Sequence, residues 1–262
     1  MNDFMKTAQK AALEAGDFLF KHFESIKQVE KKADKSLVTN LDKESERMII
    51  QRIKGDYPSH SILAEESGEQ GGDDYLWVID PLDGTHNFIR GINMYGVCIG
   101  LMYKGEFAAG VIYLPSYEEL YTAERGAGAF KNDTPIKVSE SSALEDATLL
   151  YDSGVHQEGK VKLGVLSEVS NKFFNIRMLG ASCRNLTYLA EGKADALIEF
   201  DEKPWDFVAG ASILLEAGGM MKGHNGEDVN VHTRQYVATN GLLDLEIRNS
   251  VKKALEKYSA GI

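Results

Sequence analysis

The chain has 262 residues, a net charge of −11, and 43% apolar against 26% charged residues. That is the profile of an ordinary globular protein, long enough for one large domain or two small ones. The acidic balance disfavours nucleic acid as a partner, and no apolar run approaches the about 18 residues of a membrane span.

The N-terminus reads as an acidic amphipathic pattern rather than a secretion signal, so a cytoplasmic protein is expected. Cys98 and Cys183 lie in apolar stretches and read as reduced core residues. The histidines show no metal-ligand spacing and read as structural or surface residues.

Residues 3–23 place Phe4, Ala8, Ala11 and Ala15 at helical spacing, which predicts an amphipathic helix. A polar stretch at 30–36 reads as a mobile loop. Met48, Ile49, Ile50 and Ile53 form the apolar face of a second helix, capped near Thr39 or Asn40 with Asp42 in its first turn. On its own, Asp42 is an ordinary helix-dipole partner. Ser61 to Ala64 reads as a short strand running into Glu65-Glu66, and residues 68–74 as a polar loop.

Next comes an acidic turn, Trp77-Val78-Ile79-Asp80-Pro81-Leu82-Asp83-Gly84-Thr85-His86-Asn87-Phe88. A buried strand ending at Asp80 would present its carboxylate at a sheet edge, and Pro81 would turn the chain. Two such close carboxylates repel unless a cation sits between them, and hard divalent ions such as Mg²⁺ take oxygen ligands.

Beyond it, 94–102 and 107–114 flank a hairpin turn, and 119–123 and 127–138 read as further strands. The composition shifts near 139–146. Strands at 147–151, 174–179, 194–200 and 236–239 then alternate with helices at 160–172, 182–191, 205–217 and 243–258. The expected class is α/β, an α+β first half (1–140) carrying most acidic motifs and an α/β second half (141–262) completing the site. Trp205-Asp206 opens a helix; alone it is a common cap, but Glu65, Asp80, Asp83 and Asp206 all end strands or begin helices. Four such carboxylates could converge on one phosphate or metal.

Three motifs resemble the inositol monophosphatase family, the lithium-sensitive, Mg²⁺-dependent phosphatases. They are Glu65-Glu66-Ser67, Asp80-Pro81-Leu82-Asp83-Gly84-Thr85-x-Asn87-Phe88, and Trp205-Asp206-x-x-Ala209-Gly210. With Leu37-Val38-Thr39 and Asp42, the likeness runs through nearly the whole chain.

The resemblance implies a layered α-β-α-β-α sugar-phosphatase fold and a homodimer. It implies that Glu65, Asp80 and the Leu82 carbonyl hold one Mg²⁺, that Asp80, Asp83 and Asp206 hold a second, and that a third binds near Glu65. Thr85 and Asp42, with Glu66 beside them, match the catalytic group that orients and deprotonates water. The Gly84 and Thr85 amides match the phosphate site. Glu199 matches the residue that accepts a substrate hydroxyl. Ser182 stands where the family usually has a small residue such as Ala, a departure that, with Arg184 two residues on, bears on the leaving-group pocket.

The motifs show no Ser or Cys nucleophile beside a His, which favours direct hydrolysis of a small polyol or sugar monophosphate, inositol monophosphate first. Fructose-1,6-bisphosphate, histidinol phosphate, NADP and 3′-phosphoadenosine nucleotides are alternatives within the family. A non-catalytic metal-binding protein is the alternative outside it.

Overall fold

The computed structural model describes residues 3–25, 29–31 and 37–259; the expected loop falls largely at 32–36, outside them. In chain order the elements are α1 (Asp3–Lys21), β1 (Val29–Lys31), β2 (Leu37–Thr39), α2 (Asn40–Asp56), β3 (Ser61–Ala64), β4 (Gly68–Gln70), β5 (Tyr75–Asp83) and α3 (Thr85–Ile89). They continue as β6 (Gly96–Tyr103), β7 (Glu106–Leu114), β8 (Glu119–Glu124), β9 (Gly128–Lys131), β10 (Thr134–Ile136) and β11 (Thr148–Tyr151). The last are α4 (Gly159–Val169), β12 (Asn175–Arg177), α5 (Ser182–Ala190), β13 (Ala196–Glu199), α6 (Pro204–Glu216), β14 (Met220–Gly223), β15 (Tyr236–Thr239) and α7 (Asp244–Ser259).

An eight-stranded sheet runs β10-β9-β8-β7-β6-β5-β3-β4, and a five-stranded sheet runs β12-β11-β13-β15-β14. Side chains alternate across each strand, so each sheet can bury both faces. On β6, Val97, Ile99 and Leu101 join Leu19, Ile49 and Ile53 under α1 and α2. Cys98 and Met102 point the other way, into a core shared with Leu186 of α5, Val208 and Ile213 of α6, and Leu197 and Ala238 of the second sheet. The second sheet's outer face packs Tyr151, Ile198 and Val237 against Val165 of α4 and Ile247 and Val251 of α7. The result is the five-layer α-β-α-β-α architecture.

Three expectations need correction. Strand β5 does not stop at Asp80. It continues to Asp83, with Asp80 opposite Cys98 and Asp83 opposite Gly96, three steps on β5 against two on β6. Pro81 therefore sits inside a bulge, where its missing N–H leaves no ladder bond unmade. The turn comes at Gly84, whose φ of 78° suits glycine. Second, the loop expected at 68–74 contains strand β4, which pairs antiparallel with β3 at the sheet edge. Its residues are polar because an edge strand this short faces water, and this removes the alternation signal. Third, strands β1, β2 and β14 and the one-turn helix α3 were not expected from the sequence. All are too short to show a period.

Candidate active site

The site begins on α2. Leu41, Asp42, Ser45, Glu46, Ile49 and Ile53 form its buried face. Polar residues at i, i+3 and i+4 share one side of a helix, and here each reaches a different part of the acidic loops. Asp42 Oδ2 accepts from the Thr39 amide at 2.9 Å, closing a capping box. Its Oδ1 accepts from Thr85 Oγ1 at 3.2 Å. Ser45 Oγ donates to the Pro81 carbonyl at 2.9 Å. Glu46 Oε2 accepts from the Glu66 amide at 2.7 Å. One helix face thus fixes both the Glu65-Glu66 turn and the β5 bulge. Sequence reading found Asp42 but missed Ser45 and Glu46; their spacing from Asp42 was the available signal.

The acidic side chains are set by backbone amides. Asp80 Oδ1 accepts from Leu82 N at 2.9 Å, within the bulge. Asp206, at the third position of α6 behind Pro204, accepts from Lys203 N at 2.6 Å. Asp83 accepts from the first amides of α5, Ser182 N at 3.3 Å and Cys183 N at 2.6 Å. These bonds fix each carboxylate's direction before any ligand arrives. Across the loop, Asn87 Nδ2 donates to the Met94 and Leu179 carbonyls, each at 2.9 Å, and ties α3 to the second half of the chain.

Glu65, Asp80, Leu82, Asp83, Gly84, Thr85 and Asp206 line one cavity of about 850 Å³. His86, His156 and Gln157 also line it, and no lysine or arginine does among the described residues. Four carboxylates therefore share a cavity with two histidines and, among the described residues, no lysine or arginine. Burial first, and then the charges of Glu65, Asp83 and Asp206, push the Asp80 carboxyl well above its ordinary range. Burial likewise raises Asp206 well above it and Asp83 above it. Asp42 is raised by burial, with the charge of Glu66 adding to it.

Among the described residues no three His, Cys, Asp or Glu groups meet closely enough to hold an ion between them. The carboxylates stand around the cavity rather than at a point. The donors, all oxygens, are nonetheless of the kind that Mg²⁺ takes, and in donor chemistry the residues fit a hard divalent cation.

The structure sets the expected substrate residues apart. Gly84 and Thr85 line the cavity, whereas Ser182 and Glu199 are buried and are not among its lining residues. Ser182 Oγ donates to Glu202 Oε1 at 2.8 Å, and Asn185 Nδ2 donates to Glu199 Oε1 at 2.9 Å. Glu202 also accepts from Tyr236 at 3.3 Å; no sequence pattern marked it. Arg184 turns away from the cavity to Glu119 on β8, at 2.8 Å.

The fold is the layered α/β architecture of the inositol monophosphatases. The model of the inositol monophosphatase family matches residues 1–258, and the chain belongs to that family. A fructose-1,6-bisphosphatase/inositol-1-monophosphatase of Thermotoga maritima is 34% identical over 249 residues, covering 95% of each chain. The Nus factor SuhB of Escherichia coli K12 is 36% identical over 247 residues, covering 92% of each. Among solved structures, an inositol monophosphatase of Thermotoga maritima matches with a TM-score of 0.91 at 32% identity, over 98% of this chain and 100% of that one.

Proposed function

We propose that the protein is a Mg²⁺-dependent phosphatase hydrolysing a small polyol or sugar phosphate monoester, inositol monophosphate first, as a homodimer. The observation that carries this is the cavity itself. It gathers Glu65, Asp80, Asp83 and Asp206 with Leu82 and Thr85, and no lysine or arginine lines it among the described residues. The name of the Thermotoga maritima relative supports a small phosphorylated sugar or polyol.

Glu65, Asp80 and Leu82 O would hold one Mg²⁺, Asp80, Asp83 and Asp206 a second, and Glu65 would border a third. Bound there, the ions would neutralise phosphate charge and acidify a bound water. The chain's own residues do the rest. Thr85 Oγ1 donates to Asp42 Oδ1 and shares that proton with Leu82 O at 2.9 Å. A water donating to Thr85 Oγ1 can therefore lose a proton as Thr85 passes its own to Asp42. Burial raises Asp42 toward the range where a carboxylate accepts one readily. Glu66, whose charge adds to that rise, belongs with this pair. The Gly84 and Thr85 amides would receive the phosphate.

The test is phosphate release from inositol monophosphate, fructose 1,6-bisphosphate, histidinol phosphate, NADP and a 3′-phosphoadenosine nucleotide, in Mg²⁺ and in EDTA. The expected result is Mg²⁺-dependent release, fastest from the polyol monoester. A faster ester elsewhere in the panel reassigns the substrate. No release from any of them would instead leave a non-catalytic role, of the kind the Escherichia coli relative's name suggests for that protein.

A further inference from the structure

Arg184 lies in the first turn of α5 and is 1% exposed. Its guanidinium sits 4.3 Å from the centre of the Tyr117 ring and 4.8 Å from that of Tyr188. Only Nη1 has a hydrogen-bond partner among the described residues, Glu119 Oε2 at 2.8 Å; Nε and Nη2 are buried without one. Two unmade bonds on a buried cation cost stability, and buried ion pairs are often replaceable by apolar residues without loss. A stability role explains this arginine poorly.

Its position suggests another. Glu119 is held on β8 by Lys131 at 2.5 Å and by Tyr121 at 3.1 Å. The same Lys131 and Tyr121 hold Glu191, which caps the other end of α5, at 3.2 and 3.0 Å. Both ends of α5 are thus fastened to β8 and β9 of the eight-stranded sheet, and Arg184 makes that fastening in the first turn. Immediately before it, the Ser182 and Cys183 amides hold Asp83.

We propose that Arg184 is a positioning residue for the carboxylate of Asp83: by fastening the first turn of α5 to β8, it holds the two amides that aim Asp83 into the cavity. The inference rests on reading Asp83 as a metal ligand. Lys131 and Tyr121 still hold Glu119 when Arg184 is removed, so Arg184→Met strands no charge.

Calorimetric titration of Mg²⁺ into metal-stripped protein, alongside thermal melts, tests it. Arg184→Met should bind Mg²⁺ about ten- to hundredfold more weakly, the usual effect of losing a group that supports a ligand, while melting no lower than wild type. Arg184→Lys, which keeps a charge beside Glu119, should retain part of the affinity. Wild-type affinity in Arg184→Met, with or without a lower melting temperature, overturns the proposal. If that variant does not fold, Arg184→Leu takes its place, since it too removes the bond to Glu119; unchanged affinity there also overturns the proposal. An Asp83→Asn variant that binds Mg²⁺ as wild type does would instead overturn the reading of Asp83 as a ligand.

Discussion

Asp80 is where folding and function make opposite demands on one residue. Burial and three neighbouring carboxylates favour its protonated form, whereas holding a cation needs it charged. Asp80→Asn keeps the shape and the acceptor for Leu82 N but removes the charge. In EDTA it should melt somewhat higher than wild type. Mg²⁺-dependent turnover should fall by more than ~10²-fold, because metal-borne charge stabilisation is worth several kcal/mol at about 1.4 kcal/mol per tenfold. Melts in EDTA and rates in Mg²⁺ check the two halves separately; near-normal turnover would remove Asp80 from the site. Asp80, Asp83 and Asp206 were legible in the sequence because each stands where an apolar run or a Pro-Trp helix start stops. Glu46 and Glu202 were not, since an acid inside a helix or beside Asp201 and Lys203 looks like surface charge. Only tertiary contact gives them partners.

At the scale of elements, the placing of Asp206 over β5 depends on glycines that let α6 descend onto the sheet. Gly100 and Gly110 are directly opposite each other on β6 and β7. A Cβ on Gly110 would lie 2.2 Å from the Ala209 carbonyl oxygen, and one on Gly100 would lie 2.6 Å from Val208 Cγ1. On another face of α6, a Cβ on Gly210 would lie 2.3 Å from Leu186 Cδ1 of α5. The Ala209-Gly210 end of the Trp-Asp motif is therefore a packing signature, with the helix held between the sheet and α5. Gly110→Ala should destabilise by about 1–3 kcal/mol, the usual cost of overpacking, and lower the melting temperature by several degrees. Gly55→Ala on α2, with nothing within 4 Å of its new Cβ, serves as the control and should be neutral or slightly stabilising. Equal melting of the two variants would show that α6 yields at this contact. Long elements such as α1, α2, β6 and β7 were readable because their apolar periods repeat several times. Strands β4 and β14 were not, because three or four residues carry no period and their pairing comes from neighbours distant in sequence.

At the scale of the whole molecule, a five-layer core closes around a centre that repels itself, and pH reads out the balance. Asp80, Asp206, Glu199 and Glu202 are all raised well above their ordinary values, burial being the largest cause for each. For a raised carboxyl, the folded chain binds more protons than the unfolded one. The stability it contributes is complete below the unfolded pKa and is lost as pH rises through the folded value. His224 works the other way. Burial lowers it to about 4 from 6.5, so its contribution is present above 6.5 and is lost as pH falls toward 4. Where the two ranges overlap the effects oppose. The metal-free protein should therefore melt at a lower temperature once pH has risen from the ordinary carboxylate range through the folded values of these groups. Mg²⁺ binds the charged carboxylates and competes with their protons, so its apparent affinity rises with pH. The melting-temperature gap between Mg²⁺ and EDTA should accordingly widen by several degrees over the same interval, as stabilisation by binding follows ligand concentration over Kd. Melts at fixed ionic strength in both conditions measure it. A gap that stays constant or narrows toward alkaline pH would mean that the buried carboxylates are already charged in the folded protein, and that something other than protons balances them.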